Sequence, residues 1–209
     1  MKQNLFIAVE GTDGSGKSSQ VKLLAKKLES AGYKVYTTFE PTDGIIGSMV
    51  RNILKGSIKA DNRTIAALFL ADRLDHLLNE TNGLVKKLNE GYTVITDRYY
   101  FSSYAYHGTH MDIDWVIESN TICSRVLRPD INIFIDVPPE ICMQRINENR
   151  GSTELYETLD NLNRVREKYF EAFEKLKQEE NIVLIDGNRS FEAISTDIWK
   201  EVERYMAAI

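Results

Sequence analysis

Residues 11–18 read Gly-Thr-Asp-Gly-Ser-Gly-Lys-Ser, and this stretch constrains the fold more than any other part of the chain. Glycines at positions 11, 14 and 16 suit neither a helix interior nor a strand, because each gives up backbone entropy there and packs nothing. They suit a turn whose backbone N–H groups curl inward to make a concave nest for an anion. The pattern is G-x-x-x-x-G-K-[ST], which carries meaning only between a buried strand and the start of a helix. Both flanks are present. Leu5–Val9 is a short apolar run, and Ser18–Ser30 places Val21, Leu24, Ala25 and Leu28 at helical spacing before Gly32. A helix N-terminus adds partial positive charge to such a nest, Lys17 can reach terminal phosphates, and the Ser18 hydroxyl can ligate Mg²⁺. Gly11, Thr12, Asp13, Gly14, Ser15, Gly16, Lys17, Ser18 and Ser19 are therefore expected to hold the phosphates of a nucleoside triphosphate.

The rest of the chain continues the alternation of strand and helix. Lys34–Thr38, Thr93–Asp97, Ile131–Val137 and Ile182–Asp186 read as strands. Ile45–Leu54, Thr64–Leu88, Asp114–Val126, Pro139–Asn147, Leu159–Gln178 and Phe191–Met206 read as helices. Apolar runs without strict alternation mark strands buried on both faces, so the expected fold is α/β: a five-stranded parallel sheet between helical layers. Residues 1–209 read as a single domain, interrupted only by a polar segment at about 147–157 that is expected to act as a short mobile lid. Functional residues should gather at the C-terminal ends of the strands. Lys plus Arg number 26 against 31 Asp plus Glu, a net charge of -5, which argues against a globally basic nucleic-acid or membrane binder. No apolar stretch approaches the roughly 20 residues of a membrane span. The first apolar run ends at Glu10, too soon for a signal peptide. Cys123 and Cys142 have no zinc or disulfide-framework spacing and read as reduced thiols of an intracellular, cytoplasmic protein.

A guanine-reading N-K-x-D is missing from the sequence, which argues against a GTPase. Asp97 closes a strand where it can hold a Mg²⁺ shell or the environment of an acceptor phosphate, and Arg98 beside it can clamp an anion. Phe69 and Arg73 are four apart and share a helix face. An aromatic ring there can stack on a base, and a guanidinium can donate to the O4 carbonyl of thymine or uracil while facing the amino group of cytosine unfavourably.

Five blocks in order then make a resemblance specific. They are Glu10–Ser18; Glu40-Pro41-Thr42 with Gly47 and Arg51; Leu68-Phe69-x-Ala71-Asp72-Arg73; Asp97-Arg98-Tyr99 with Ser102, Ala105 and Tyr106; and Pro129-Asp130 leading to Asp136-Val137-x-Pro139-Glu140. Over nearly its whole length the chain resembles the thymidylate kinase family of P-loop nucleoside monophosphate kinases. The resemblance implies transfer of the γ-phosphate of ATP to dTMP, giving dTDP and ADP, with Mg²⁺ as cofactor. It also implies a homodimer through the Thr64–Leu88 and Asp114–Val126 helices, with no nucleic-acid or membrane partner.

The same resemblance distributes roles. Arg51 and Arg98 take the acceptor phosphate. Asp13, a carboxylate that must face away from the triphosphate, takes the acceptor 3′-hydroxyl. Phe69 and Arg73 take the base, with Ser102 and Ser103 on its edge. Tyr106 lies beside C2′, Tyr156 touches the deoxyribose, and Glu40 orients Mg²⁺ waters or an arginine. Lys17, Asp97, Arg98 and the lid arginines Arg145 and Arg150 stabilise the transferred group, with Ser18 and Asp97 on the metal. Arg189, after Asn188, stacks on adenine. Phe39, His107 and Leu155 depart from the pattern, standing where arginine, glutamine and arginine are common.

Overall fold

The computed structural model describes residues 4–149 and 155–208. Five strands, β1 (Phe6–Glu10), β2 (Val35–Phe39), β3 (Thr93–Asp97), β4 (Ile131–Asp136) and β5 (Ile182–Asp186), form one parallel sheet in the order β2-β3-β1-β4-β5. The expected five-stranded α/β architecture is the one observed. Strands β1, β3 and β4 are buried along almost their whole length, whereas the edge strands β2 and β5 are mostly half-exposed. This is why the central runs read as continuously apolar. Successive β1 residues feed opposite cores: Phe6 and Ala8 join one cluster with Tyr99, Phe101 and Phe134, while Leu5, Ile7 and Val9 join the other with Leu24, Leu28 and Ile198.

Helices α1 (Lys17–Ser30), α2 (Ile45–Leu54), α3 (Asn62–Leu78), α4 (Leu84–Asn89), α5 (Tyr100–Gly108), α6 (Ile113–Val126), α7 (Pro139–Asn149), α8 (Leu159–Leu176) and α9 (Phe191–Ala208) cover the two faces. The register pairs Val9 with Asp97 and Phe39 with Asp97, so the tips of β1, β2 and β3 finish together. From β1 the chain crosses to β2 on one side, and from the adjacent β3 it crosses to β4 on the other. A crevice opens where neighbouring connections diverge in this way.

Two expectations need correction, and one helix is added. The stretch Thr64–Leu88 is two helices, α3 and α4. The Asn79 side chain accepts from the backbone N–H of Thr81 at 2.9 Å and of Asn82 at 3.4 Å, and this local turn outcompetes continuation of the helix although Leu74, Leu77, Leu84 and Leu88 keep the apolar rhythm. Between β3 and α6 lies a further helix, α5, whose residues are all buried, so no amphipathic period announces it. Finally, residues 147–149 of the expected lid are the last turn of α7. Residues 150–154 of that lid, Arg150 among them, lie outside the described residues.

Candidate active site

The loop from Gly11 to Gly16 joins β1 to α1. Gly14 and Gly16 take φ of 80° and 88°, and Gly16 caps α1 without a side-chain hydrogen bond, so the N–H groups of Lys17 and Ser18 in the first turn of α1 are left for a ligand, while that of Ser19 reaches the Gly16 carbonyl. Lys17 folds back over the loop, donating to the Thr12 carbonyl at 2.8 Å and to Ser15 Oγ at 3.4 Å. Burial, and then the neighbouring Arg98 charge, bring its pKa down to about 8. Across the crevice, Ser18 Oγ donates to Asp97 Oδ2 at 2.5 Å. A hydroxyl and a carboxylate oxygen thus meet at one point beside the nest. Such hard oxygen donors fit Mg²⁺, which takes one or two protein groups and completes its shell with phosphate and water.

Two cavities open at this edge of the sheet. The larger, about 1600 Å³, runs along Gly14, Gly16, Lys17, Ser18, Ser19 and Asp97, with Arg145 and Glu40 on its wall. The smaller, about 590 Å³, is walled by Phe69, Ser102, Ser103, Tyr106, His107 and Tyr156, with Pro41, Leu54 and Glu157 closing it. Asp13 and Arg98 line both.

Arg98 is held from several directions. Its Nη1 donates to the Gly11 carbonyl and to Ser102 Oγ, each at 3.0 Å, and its Nη2 donates to Asp13 Oδ1 at 2.6 Å and Tyr106 Oη at 3.2 Å. Tyr106 in turn donates to Asp13 Oδ2 at 2.7 Å, and its ring lies under the guanidinium at 5.0 Å. Burial opposes the Arg98 charge, but Tyr106 and Asp13 outweigh it and hold the pKa well above the ordinary value. Burial likewise opposes an ionised Asp13, and the Arg98 and Lys17 cations override it, so the carboxyl sits below its usual range. Asp13 is therefore an ionised acceptor inside an anion-binding loop, turned toward Arg98.

Other expected residues lie elsewhere. Arg73 is tied to internal partners under the cavity wall by four hydrogen bonds and an ion pair. Nε donates to Glu40 Oε2 at 2.8 Å and Nη2 pairs with the same oxygen at 2.7 Å, while Nη1 donates to Ser103 and Asn120 and Nη2 to the Tyr99 carbonyl. The residue is 1% exposed and lines neither cavity, so reading a base edge requires it to give up one of these bonds. Glu40 is the counter-charge: burial pushes its pKa up, but Arg73 and a hydrogen bond from His76 Nδ1 at 3.0 Å bring it below the ordinary value. Of its two expected roles, the structure places it on an arginine. Arg51 donates to the Pro41, Thr42 and Ser48 oxygens and lines neither cavity, so it does not converge with Arg98 here. Arg189 pairs with Asp197 on the surface, and it too lines neither cavity.

Four participants have no role assigned from the sequence. Tyr169, from α8, reaches Ser102 Oγ at 2.8 Å and lies 3.5 Å from Arg98 Nη1. Asn120, from α6, accepts from Arg73. Glu157 closes the smaller cavity, and Glu10, which appears in the sequence only as the residue before the loop, lies beneath Ser102. Only fold closure brings them in. His107 and Tyr156, by contrast, could be suspected from position. Both present a buried polar atom, Nδ1 and the hydroxyl, that has no hydrogen-bond partner among the described residues. Burial and then Arg73 depress the His107 pKa to about 3, so its ring is neutral.

Comparison with known proteins matches this arrangement to one family. The family model described as "Thymidylate kinase" matches residues 9–198. A protein of Caldivirga maquilingensis named "Probable thymidylate kinase" is 38% identical over 203 residues, covering 95% of this chain and 93% of that protein. One of the same name from Thermococcus gammatolerans is 36% identical over 210 residues, covering 96% of each. The "Thymidylate kinase" of Shouchella clausii is 36% identical over 214 residues, covering 99% of this chain and 98% of its own. With the phosphate nest, the Asp97–Arg98 edge and the adjoining smaller cavity in one crevice, the chain belongs to the thymidylate kinase family.

Proposed function

We propose that the chain transfers the γ-phosphate of ATP to dTMP, giving dTDP and ADP. The observation that carries this reading is the wall shared by the two cavities. Asp13 and Arg98 face the larger cavity over the loop on one side and the smaller, Phe69-lined cavity on the other. A donor and an acceptor lying in these cavities would bring their phosphates together at Arg98. The acceptor phosphate is already a nucleophile, so positioning and charge neutralisation suffice and no general base is required.

The smaller cavity suits a pyrimidine deoxynucleotide. Phe69 offers a ring face, while Ser103 and the neutral His107 offer polar atoms to the base edge. Tyr106, tied to Asp13, fills the space a ribose 2′-hydroxyl would need. Ionised Asp13 can accept from a 3′-hydroxyl. On the donor side the nest N–H groups and Lys17 bind phosphate oxygens, and Arg145 stands on the cavity wall. Ser18 and Asp97 would hold Mg²⁺, which would supply charge neutralisation to the phosphates as a Lewis acid.

We assign the enzyme to the cytoplasm, where the buried thiols of Cys123 and Cys142 would stay reduced. We also read it as a homodimer. Ala67, Ala71, Leu74 and Leu78 form a partly exposed stripe on α3, and Trp115, Ile122 and Val126 form an exposed one on the adjacent α6. The test of the activity is ADP release from Mg²⁺–ATP on addition of dTMP, dUMP, dCMP, the ribose form of TMP, or thymidine. Turnover chiefly with dTMP is expected. Turnover with thymidine would make the protein a nucleoside kinase, and silence with all five alongside tight ATP binding would make it a nucleotide-binding protein without this reaction.

A further inference from the structure

Glu10 ends β1 and is 1% exposed, and none of the chemistry above touches it directly. Its carboxylate faces four donors. Oε1 accepts from the backbone N–H of Tyr99 at 2.8 Å and of Ser102 at 3.3 Å; Oε2 accepts from the hydroxyls of Ser102 at 2.6 Å and Tyr169 at 2.9 Å. These groups surround Arg98. Tyr99 follows it in the chain and caps α5 without a side-chain hydrogen bond of its own, and Ser102 is the third residue of that helix. From a neighbouring strand, Glu10 thus serves the same two N–H positions that a capping box serves from within a helix, sharing the Ser102 N–H with the Tyr99 carbonyl at 3.2 Å. Burial raises its carboxyl pKa, and the Ser102 hydrogen bond and the Arg98 charge oppose that rise.

Arg98 needs such support. Its φ of 74° is left-handed, a conformation that a Cβ disfavours, and among the described residues no other non-glycine adopts a positive φ. On the N-terminal side the turn is fixed by Arg98 N–H to the Val9 carbonyl at 2.9 Å and by Thr96 Oγ1 donating to the Arg98 carbonyl at 2.8 Å. On the C-terminal side it is fixed by the Tyr99 N–H bond to Glu10. The same carboxylate sets two hydroxyl protons. When Ser102 and Tyr169 donate to Glu10, their oxygen lone pairs turn to Arg98 Nη1, at 3.0 and 3.5 Å. We infer that Glu10 is a positioning residue that locks the left-handed turn at Arg98 and orients the hydroxyl acceptors aiming its guanidinium at the boundary between the cavities. The inference rests on Arg98 being the acceptor-phosphate ligand of the proposed reaction.

Glu10→Gln tests it. The amide keeps one acceptor and sends N–H groups toward Ser102 and Tyr169, whose own protons must then turn toward the guanidinium. kcat/KM for dTMP should fall about tenfold or more, with KM for ATP held within about twofold. In an Arg98→Ala background the same substitution should change kcat/KM by less than about twofold, because the effect travels through Arg98. Equal losses in both backgrounds would mean a general structural role and overturn the inference. Tyr169→Phe keeps the ring in the core and removes one acceptor, so a smaller, equally Arg98-dependent loss is expected, and it carries the test if Glu10→Gln does not fold. A readout without turnover is the ¹⁵N NMR signal of Arg98 Nε–H in the ligand-free protein. It should be distinct in the parent and move toward the position of a free arginine in Glu10→Gln and Tyr169→Phe; an unmoved signal overturns the inference. Failure of the parent to phosphorylate dTMP would instead refute the functional reading, leaving the NMR comparison to decide the role of Glu10.

Discussion

Gly14 and Gly16 allow a clean test of how the phosphate nest is built. Both are left-handed, at φ of 80° and 88°. A Cβ at Gly16 would meet nothing within 4 Å, so Gly16→Ala carries backbone strain alone. A Cβ at Gly14 would lie 2.5 Å from the Cys142 carbonyl oxygen and 3.0 Å from its carbonyl carbon and Cα, all backbone atoms of α7 that no rotamer change can withdraw. The left-handed conformation costs about 1–2 kcal/mol for a residue with a Cβ. Overpacking against fixed backbone adds about 1–3 kcal/mol. Gly16→Ala should therefore lower stability by about 1–2 kcal/mol and Gly14→Ala by about 2–5 kcal/mol. The unfolded-state gain from Gly→Ala is common to both and cancels in the comparison. Thermal unfolding of the ligand-free proteins measures the gap, at about 2–4 °C per kcal/mol for a chain of this size. Gly14→Ala should also weaken ATP binding, because relief requires the loop to move off α7. If the two variants unfold within about 0.5 kcal/mol of each other, the close approach of loop and α7 is not a constraint and the reasoning fails.

Further outcomes follow from the polar geometry. Arg98→Ala should lower kcat/KM for dTMP by about 100-fold or more while ATP binding persists, since one guanidinium serves both cavities; steady-state kinetics with a separate ATP titration would show it, and a loss under tenfold would refute it. Glu40→Gln strips the counter-charge from a fully buried Arg73 and should destabilise the fold by about 3–5 kcal/mol in urea denaturation, with less than about 1 kcal/mol counting against the buried pair. Lys17 has a folded-state pKa of about 8, below its ordinary 10.5. Below that folded value both states are charged and the penalty of burying the ammonium is present in full. Between the two values the unfolded chain holds more protons, so this group makes stability rise with pH. Denaturation of the parent and of Lys17→Met across that range should show the parent gaining relative to the variant, and parallel profiles would contradict the burial argument.

Much of this fold is legible because its signals are local. The nest must have glycines, β1, β3 and β4 must be apolar when both faces are covered, and α1 shows its buried stripe at Val21, Leu24 and Leu28. What is not legible depends on closure. Leu74, Leu77, Leu84 and Leu88 keep one helical rhythm through a break that a single Asn79 side chain decides. Helix α5 is buried on every side, so its sequence carries no period. In the site, sequence order alone brings Phe69, Ser103 and Tyr106 to suspicion, and the structure gathers them around one cavity. Sequence order cannot show that Arg73 is tied to internal partners, since two of them, Ser103 and Asn120, are 30 and 47 residues away.

That internal pairing bears on how the site works. A ligand-free pocket with several unpaired guanidinium groups would hold like charges together at low dielectric, which is costly. Here each described arginine of the acceptor region is committed to an internal acceptor: Arg98 to Asp13, Arg73 to Glu40, and Arg51 to the Pro41 and Thr42 carbonyls. Their states differ in how easily a phosphate can compete. Arg98 lies at the cavity boundary with its side chain 15% exposed and its Asp13 partner 28% exposed, so a dianion can compete for its N–H groups without stranding a fully buried charge. Arg73 and Glu40 are 1% and 2% exposed, and parting them would strand both charges. Arg51 is intermediate, 29% exposed, bonded to the Pro41 and Thr42 carbonyls and paired at 3.4 Å with an Asp43 that is itself 81% exposed, partners that water could satisfy in its place. A phosphate arriving in the smaller cavity would therefore meet Arg98 already aimed and could recruit Arg51 by releasing the Pro41–Thr42 loop, while Arg73 stays as the rigid floor. On this account Arg51→Ala should raise KM for the acceptor more than it lowers kcat, whereas Arg98→Ala should depress kcat as well. The reverse ordering would mean that Arg51, not Arg98, is the arginine fixed on the reacting phosphate.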